Sequence, residues 1–401
     1  MYSSDRGHLT DFHFSHLSAF AYRGASLTII EATAVLDNGG ITPQDSGLWE
    51  DSQMEPIRRI ATYVHSQGQR LGIQLGHAGR KASTVAPWLV ARGRSRVVTK
   101  VEGGWEDNVW GASPICWGEG HANPKGMTLD DIKTFIDGFA ASARRAIKAG
   151  IDVIEIHAAH GYLLSSFLSP LSNIRTDKYG GSFENRIRLL LEVIEAVRAV
   201  IPSGMPLLVR ISATEWMEHA GSPSWDIPST IELAKKLPAL GVDLLDVSSG
   251  GNNAGQVFSP LSYSQIGFAS RIRDGLHQAG VHNLLIGAVG EITEASQAAS
   301  ILQSSSSSAL ASTAQSAFNS IKNLVVGKTT QPARNDAKEK NGLVEIHDER
   351  GAVAKADVVL VARQFLREPD FVLRMAHKLG VDVKWPTQYG YAAKFTPGSN
   401  I

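Results

Sequence analysis

The segment Gly150-Ile151-Asp152-Val153-Ile154-Glu155-Ile156-His157-Ala158-Ala159-His160-Gly161-Tyr162-Leu163-Leu164 decides the fold. Its first half is a short run rich in branched apolar residues, entered directly from a glycine, and it ends in a cluster of polar side chains at a turn. Upstream, Thr128 and Asp131 form a capping-box pattern, Ile132, Phe135, Ile136 and Phe139 keep an apolar stripe at helical spacing, and Gly150 stops that helix. A helix that stops on a glycine and leads into a buried strand is half of a parallel βαβ unit. Downstream the unit repeats: Ser182 can cap a helix whose Ile187, Leu190, Leu191, Ile194 and Val197 line one face, ending near Pro202 ahead of the next strand.

Working outward, the expected strands are Ser26–Glu31, Arg70–Leu75, Asp152–Ile156, Pro206–Ile211, Val242–Val247, Asn283–Gly287 and Asp357–Val361. Seven strands with helical crossovers suit an open doubly wound sheet or a (β/α)8 TIM barrel lacking one strand. Strand ends at Glu31, Gln74, His157, Arg210, Ser248, Ser249 and Gly287 gather polar or glycine residues on one face, which favours the barrel. Gly287-Ala288-Val289-Gly290 and Ala362-Arg363, closing the last two units, form the pattern with which such barrels seat a phosphate. No apolar strand precedes Met1-Tyr2-Ser3-Ser4, so the first barrel strand is expected to be missing. Residues 303–355, with five consecutive serines at 304–308, read as a flexible insertion before the last strand, within a single domain of 1–401.

Composition narrows the function. Lys plus Arg and Asp plus Glu are 39 each, so no global field draws in nucleic acid or an anionic membrane, and a small-molecule partner is expected. One cysteine, Cys116, excludes an internal disulfide framework, and no apolar stretch reaches membrane-spanning length or makes a signal-peptide core. A soluble cytoplasmic protein is the resulting expectation.

The chemistry concentrates at the strand ends. His157 and His160 could bind a metal, act as bases, or donate hydrogen bonds to a carbonyl oxygen gaining charge, and they could equally satisfy backbone carbonyls. Tyr162, protonated at neutral pH, suits delivery of a proton. Gln74 offers an amide that both donates and accepts, as the edge of a heterocycle requires. Arg210 puts a cation in an apolar strand, to be offset by a bound anion, by an electron-rich ring carbonyl, or by a carboxylate such as Glu155.

At these residues a family resemblance emerges. His157-Ala158-Ala159-His160-Gly161-Tyr162, Phe167-Leu168-Ser169-Pro170 and the run from Asn173 to Arg186 (NIRTDKYGGSFENR) closely resemble the Old Yellow Enzyme family, as do Met1 to Ser4, Glu31-Ala32, Gln74 to Lys81, Arg210, Gly287 to Thr293 and Ala362 to Pro369. The nearest subgroup is that of bacterial ene-reductases with a redox-tuning cysteine. That cysteine would precede Met1, so Cys116 does not inherit its role. The resemblance implies an FMN-binding barrel that takes electrons from NADPH or NADH and reduces activated C=C bonds of α,β-unsaturated carbonyl compounds, with specialised metabolism as one setting. It implies that His157 and His160 bind the substrate carbonyl, that Tyr162 protonates the α-carbon and that Tyr2 touches substrate. Ala32, Gln74 and Arg210 would contact the flavin ring system, and Gly290, Ala362 and Arg363 its phosphate; no metal is called for. A homo-oligomer stays among the expectations, although Gln388-Tyr389-Gly390-Tyr391 lacks the arginine that reaches a neighbouring subunit in some relatives. Two rivals stay open: a metal-dependent lyase or hydrolase using His157, His160 and Glu155, and a barrel that has lost its flavin.

Overall fold

The computed structural model describes residues 1–90, 96–258, 264–302, 354–381, 386 and 389. The elements follow in chain order as α1 (Asp11–Ala21), β1 (Leu27–Ala34), β2 (Ser46–Gly47), α2 (Met54–Ser66), β3 (Arg70–Gly76), α3 (Pro87–Val90), β4 (Trp110–Gly111), β5 (Lys125–Gly126) and α4 (Leu129–Lys148). Then come β6 (Val153–Ala158), α5 (Leu163–Leu168), α6 (Phe183–Arg198), β7 (Leu207–Ser212), α7 (Ile227–Ala234), β8 (Leu244–Ser248), α8 (Ser264–Gln278), β9 (Leu285–Val289), α9 (Ala295–Leu302) and β10 (Val358–Leu360). Two helices, Arg363–Arg367 and Phe371–Leu379, follow. All seven anticipated strands form, each within two or three residues of the expected bounds.

Eight of these strands make one curled parallel sheet in the order β10-β9-β8-β7-β6-β3-β1-β2, a (β/α)8 barrel-like arrangement with helices outside, while β4 and β5 pair separately. Its eighth member is the two-residue β2, which pairs with β1 through Thr33–Ser46 and Ala34–Gly47. Sequence periodicity could not register so short a strand. Among the described residues no pairing links β10 to β1. The expected insertion at 303–355 lies outside the described residues except for Ala354 and Lys355, and the 388–391 segment does so except for Tyr389.

Alternation along the strands separates two cores. Ile30, Leu71, Ile73, Leu75, Ile154, Ile156, Val209, Ile211, Leu245, Val247 and Ile286 point outward and bury against the helices. The α4 helix supplies Ile132, Phe135 and Phe139 to that layer, capped as anticipated by the Thr128 hydroxyl accepting from Asp131 N at 3.1 Å. Truncating either phenylalanine to alanine should cost about 3–5 kcal/mol. The opposite faces of the strands line the barrel. There Leu27, Ile29, Val153, Leu208, Leu244, Leu285, Val358 and Leu360 form an apolar floor. No helix among the described residues is long and apolar enough to cross a membrane.

Candidate active site

Above the floor the lining turns polar in register. Gln74 pairs with Glu155, while His157, Arg210, Asp246 and Gly287 follow one another across β6, β7, β8 and β9. In-register residues of a parallel sheet point the same way, so the fold itself places an amide, two carboxylates, a guanidinium and an imidazole on the inner wall. Gln74 Nε2 donates to Glu155 Oε2 at 2.5 Å, and Arg210 Nε lies 3.1 Å from Asp246 Oδ2. Of the partners left open for Arg210, a bound anion, a ring carbonyl or a barrel carboxylate such as Glu155, the structure shows a carboxylate, and it is Asp246, which in-register pairing puts directly beside Arg210 on β8. Burial and then the Asp246 charge push the Glu155 carboxyl up, against Arg210 and Gln74. Burial also raises Asp246, opposed by Arg210, and burial pulls Arg210 down less than Asp246 and Glu155 push it up. Arg210 keeps 23% of its side chain open while Asp246 keeps 3%, which makes Arg210 the member of the layer that meets whatever enters the barrel.

Higher on the same wall, the sequence His157-Ala158-Ala159-His160 bends so that the imidazoles meet. His157 Nε2 and His160 Nδ1 are 3.2 Å apart, and His160 Nε2 is 2.7 Å from Ser248 Oγ at the end of β8. His160 takes a left-handed φ of 61°, its N–H donating to Ser212 Oγ at 2.9 Å. Burial and Arg210 hold His157 down to about 3, and burial, His157, Arg210 and Lys81 hold His160 well below its ordinary value. Both rings are therefore neutral at physiological pH. His157 Nδ1 accepts the Ala159 N–H at 3.2 Å, which puts the ring proton on Nε2. That proton faces His160 Nδ1, and the His160 proton in turn sits on Nε2 towards Ser248. The backbone-carbonyl alternative for these histidines does not apply: their partners are each other, a backbone N–H and a serine.

Tyr162 stands against this pair, its ring 4.8 Å from that of His157 and packed against the small cluster of Ala78, Ala82, Val109 and Ala122. Among the described residues its hydroxyl has no hydrogen-bond partner. Burial, followed by Asp45 and Tyr2, raises its pKa above the ordinary phenol range. Tyr2, also with a left-handed φ of 55°, meets Trp88 edge-on at 5.2 Å and is raised by burial, Asp45 and Glu31.

Sequence reasoning passed over the parts that hold this turn in place. Lys81 Nζ donates to the carbonyls of His160 at 3.0 Å and Gly251 at 3.1 Å, and lies over the rings of Trp117 and Tyr162 at 4.7 and 5.4 Å. Burial, then Arg80 and Arg96, lower it to about 8. Beneath, the buried Glu215 accepts from Ser169 Oγ (2.6 Å), Trp225 N (2.7 Å) and Asn252 Nδ2 (2.6 Å), and Arg80 binds the Asn252 carbonyl. Four βα loops are tied together through these bonds.

The residues the resemblance assigned to FMN are spread around the same mouth. Gln74 and Arg210 lie on the inner wall, Ala32 is half-buried near the end of β1, Gly290 with φ 117° follows β9, and the exposed Ala362 and Arg363 follow β10. Arg210 Nε is buried without a hydrogen-bond partner, donor capacity that an electron-rich ring edge would use, while Glu155 Oε1 and Asp246 Oδ1 are buried oxygens that also lack partners. The residues present therefore fit the group. No three His, Cys, Asp or Glu side chains among the described residues are grouped to hold a metal ion.

A parallel barrel with a polar inner wall, a neutral imidazole pair and a phenol at its mouth belongs to the class of flavin-dependent barrel oxidoreductases. Residues 1–320 match the model of the NADH:flavin oxidoreductase / NADH oxidase family, and the chain belongs to that family, the one that includes Old Yellow Enzyme. It is 41% identical to an NADH:flavin oxidoreductase of Gibberella zeae over 98% of this chain and 84% of that protein. It is 36% identical to NADPH dehydrogenases of Bacillus velezensis, covering 98% of this chain and 92% of that one, and of Bacillus subtilis, covering 97% and 91%. In fold it resembles an Old Yellow Enzyme homologue from Zymomonas mobilis, with TM-score 0.60, 24% identity and coverage of 96% and 92%. It also resembles a 2-naphthoyl-CoA reductase, with TM-score 0.67, 19% identity and coverage of 94% of this chain but 49% of that longer one. The protein is an oxidoreductase that works with FMN and NAD(P)H.

Proposed function

We propose that this oxidoreductase reduces activated C=C bonds of α,β-unsaturated carbonyl compounds, a class that includes alkenes of specialised metabolism. FMN, when bound, supplies the hydride chemistry between the nicotinamide and the substrate β-carbon. Gln74 and Arg210 would hold the polar edge of its ring, Ala32 would lie against it, and Gly290, Ala362 and Arg363 would hold its phosphate.

The observation that carries the reading is the pairing of two neutral imidazoles with a protonated phenol. Reduction of an enone needs donors at the carbonyl oxygen, where charge develops, and a separate proton for the α-carbon. His157 can donate from Nε2, and His160 can once Ser248 Oγ gives up its ring proton, but neither can protonate, because burial keeps the imidazolium unpopulated. The proton on His157 Nε2 is directed at a ring nitrogen 3.2 Å away, a long contact that a carbonyl oxygen displaces at little cost. Tyr162 keeps its proton at any working pH and has a free hydroxyl, so it is the acid that remains. Tyr2 and Trp88 would bound the substrate from the opposite side. The metal-dependent alternative is disfavoured because Glu155 is turned onto Gln74 and His157 Nδ1 is already engaged.

The test is anaerobic spectroscopy of the purified yellow protein. NADPH or NADH should bleach the flavin band and 2-cyclohexenone should restore it. Bleaching without restoration by any of a panel of enones overturns the substrate class, and failure of both nicotinamides overturns the whole reading.

A further inference from the structure

Arg210 faces the flavin ring in the reading above, yet its own counter-charges have no assigned part. Two carboxylates, Glu155 and Asp246, each 2% exposed, flank this single guanidinium over an apolar floor. Fully ionised, the layer would carry a net negative charge in a dry barrel, with Glu155 Oε1 and Asp246 Oδ1 both lacking a partner. Interiors do not tolerate that arrangement; two carboxyls within electrostatic reach of each other, away from water and with a single cation between them, leave one protonated. Among the described residues no cation besides Arg210 acts on either carboxyl. Across the barrel, β3 contributes the neutral Gln74, β6 the neutral His157 and β9 only Gly287, while Glu31 of β1 is engaged by the Met1 ammonium at 2.6 Å and by His13.

We propose that Glu155 and Asp246 are positioning residues that share one proton opposite Arg210, forming a charge-setting layer that presents the guanidinium to the FMN ring without excess negative charge. Geometry assigns the proton to Glu155, since Asp246 is the carboxylate beside Arg210. The rise of the Glu155 carboxyl to about 7, from burial and then the Asp246 charge, agrees with this. Losing that proton puts an uncompensated negative charge beneath a ring that must accept electrons, so the layer links the readiness of the flavin to be reduced to pH. This rests on FMN meeting Arg210 as proposed above.

Glu155→Gln is a near-isosteric, permanently neutral copy of the protonated acid, and two measurements separate the claims. In flavin-free protein, a carboxyl whose folded value is raised contributes stability at low pH and loses it as pH rises towards about 7. The melting temperature of E155Q should therefore gain on that of wild type between about pH 5 and pH 7 and keep a constant lead above. A lead that does not change with pH overturns the shared proton, whether or not FMN binds. In holoprotein, the flavin midpoint potentials of the two forms should coincide near pH 6 and diverge above about pH 7, wild type becoming the more negative. The ring's own protonation is common to both and cancels in the difference. A pH-dependent stability lead with no divergence of potentials overturns the part of the proposal that couples the layer to the flavin. Asp246→Asn provides the converse: a single carboxylate left to pair with Arg210 should abolish the neutral-range pH dependence, and its persistence overturns the assignment of the pair. Should E155Q not fold, D246N in the same two measurements decides the matter alone.

Discussion

Gly161 lies so close to Gly251 that a β-carbon built on it would stand less than van der Waals distance from the Gly251 carbonyl oxygen, at 2.2 Å. Gly161 also has φ 73°, and the reciprocal β-carbon on Gly251 would fall 2.6 Å from His160 Cα. The loops after β6 and β8 thus touch backbone to backbone, with the Lys81 ammonium bonded to both. Gly161→Ala must move this seam, and with it the His160 ring and the Tyr162 phenol. Enone reduction should fall at least about 100-fold, consistent with the loss expected from misplacing catalytic groups by an ångström. Far-UV circular dichroism should remain that of the parent; unchanged turnover would show that the seam does not position the turn.

Tyr162→Phe tests the phenol itself. Only the half-reaction that saturates the alkene needs its proton, so reduction of the flavin by NAD(P)H should survive while reoxidation by 2-cyclohexenone slows by about 100-fold or more. Stopped-flow measurement of the two half-reactions distinguishes them. Equal slowing of both would mean that Tyr162 shapes the site without supplying the proton.

The strands and the His157–His160–Tyr162 constellation were legible because their signals are local: branched apolar runs such as Val153–Ile156, and three functional side chains within six residues. Lys81 was not legible as a fastener, since its partners are backbone carbonyls 79 and 170 positions away, and a carbonyl leaves no mark in a sequence. Asp246 escaped notice for a related reason. In Leu244-Leu245-Asp246-Val247-Ser248 it is one polar residue in an apolar strand, and only the register of β7 against β8 brings it beside Arg210. Ser248 could be named as a strand-end polar residue, but its partnership with His160 depends on how far the β6 turn reaches across the barrel mouth.

Among the described residues Asn252 is the single donor that engages Glu215 Oε2, at 2.6 Å, in a carboxylate that is 1% exposed. Asn252→Ala strips a buried charge of one of its bonds and releases the Arg80 side chain from Asn252 Oδ1. A loss of about 2–4 kcal/mol is expected in urea unfolding. Adding Glu215→Gln to the same chain removes the orphaned charge, so the double variant should recover part of the loss, a coupling that a thermodynamic cycle measures directly. Strict additivity would place the role of Asn252 elsewhere.

Acid stability follows from the buried histidines. His77, whose Nδ1 accepts from Gly79 N at 3.0 Å and whose Nε2 meets Asn38 Oδ1 at 3.1 Å, is held down to about 3 by burial. With His157 at about 3 and His160 also depressed, the fold keeps three imidazoles neutral that the unfolded chain protonates near pH 6.5. A base whose folded value is lowered contributes stability that is fully present above its unfolded value and is lost as pH falls below it, by up to about 1.4 kcal/mol per pH unit for each group. Three groups would give a slope of about 4 kcal/mol per unit. Glu155 and Asp45 act in the opposite sense, because burial raises their folded values to about 7 and about 6, so they bind protons in the fold as pH falls from neutral towards the ordinary carboxylate range, while Asp246 stays ionised beside Arg210. These two carboxyls offset part of the histidine slope between about pH 4.5 and 6, and below that they are protonated in both states while the histidines still oppose folding. Urea unfolding free energies should therefore fall gently across the upper window and steeply beneath it. His77→Gln, which lies outside the imidazole pair and can still donate to Asn38, should reduce the steep slope by about one proton's worth, or 1.4 kcal/mol per unit. An unchanged slope would mean that His77 takes up its proton without unfolding the chain.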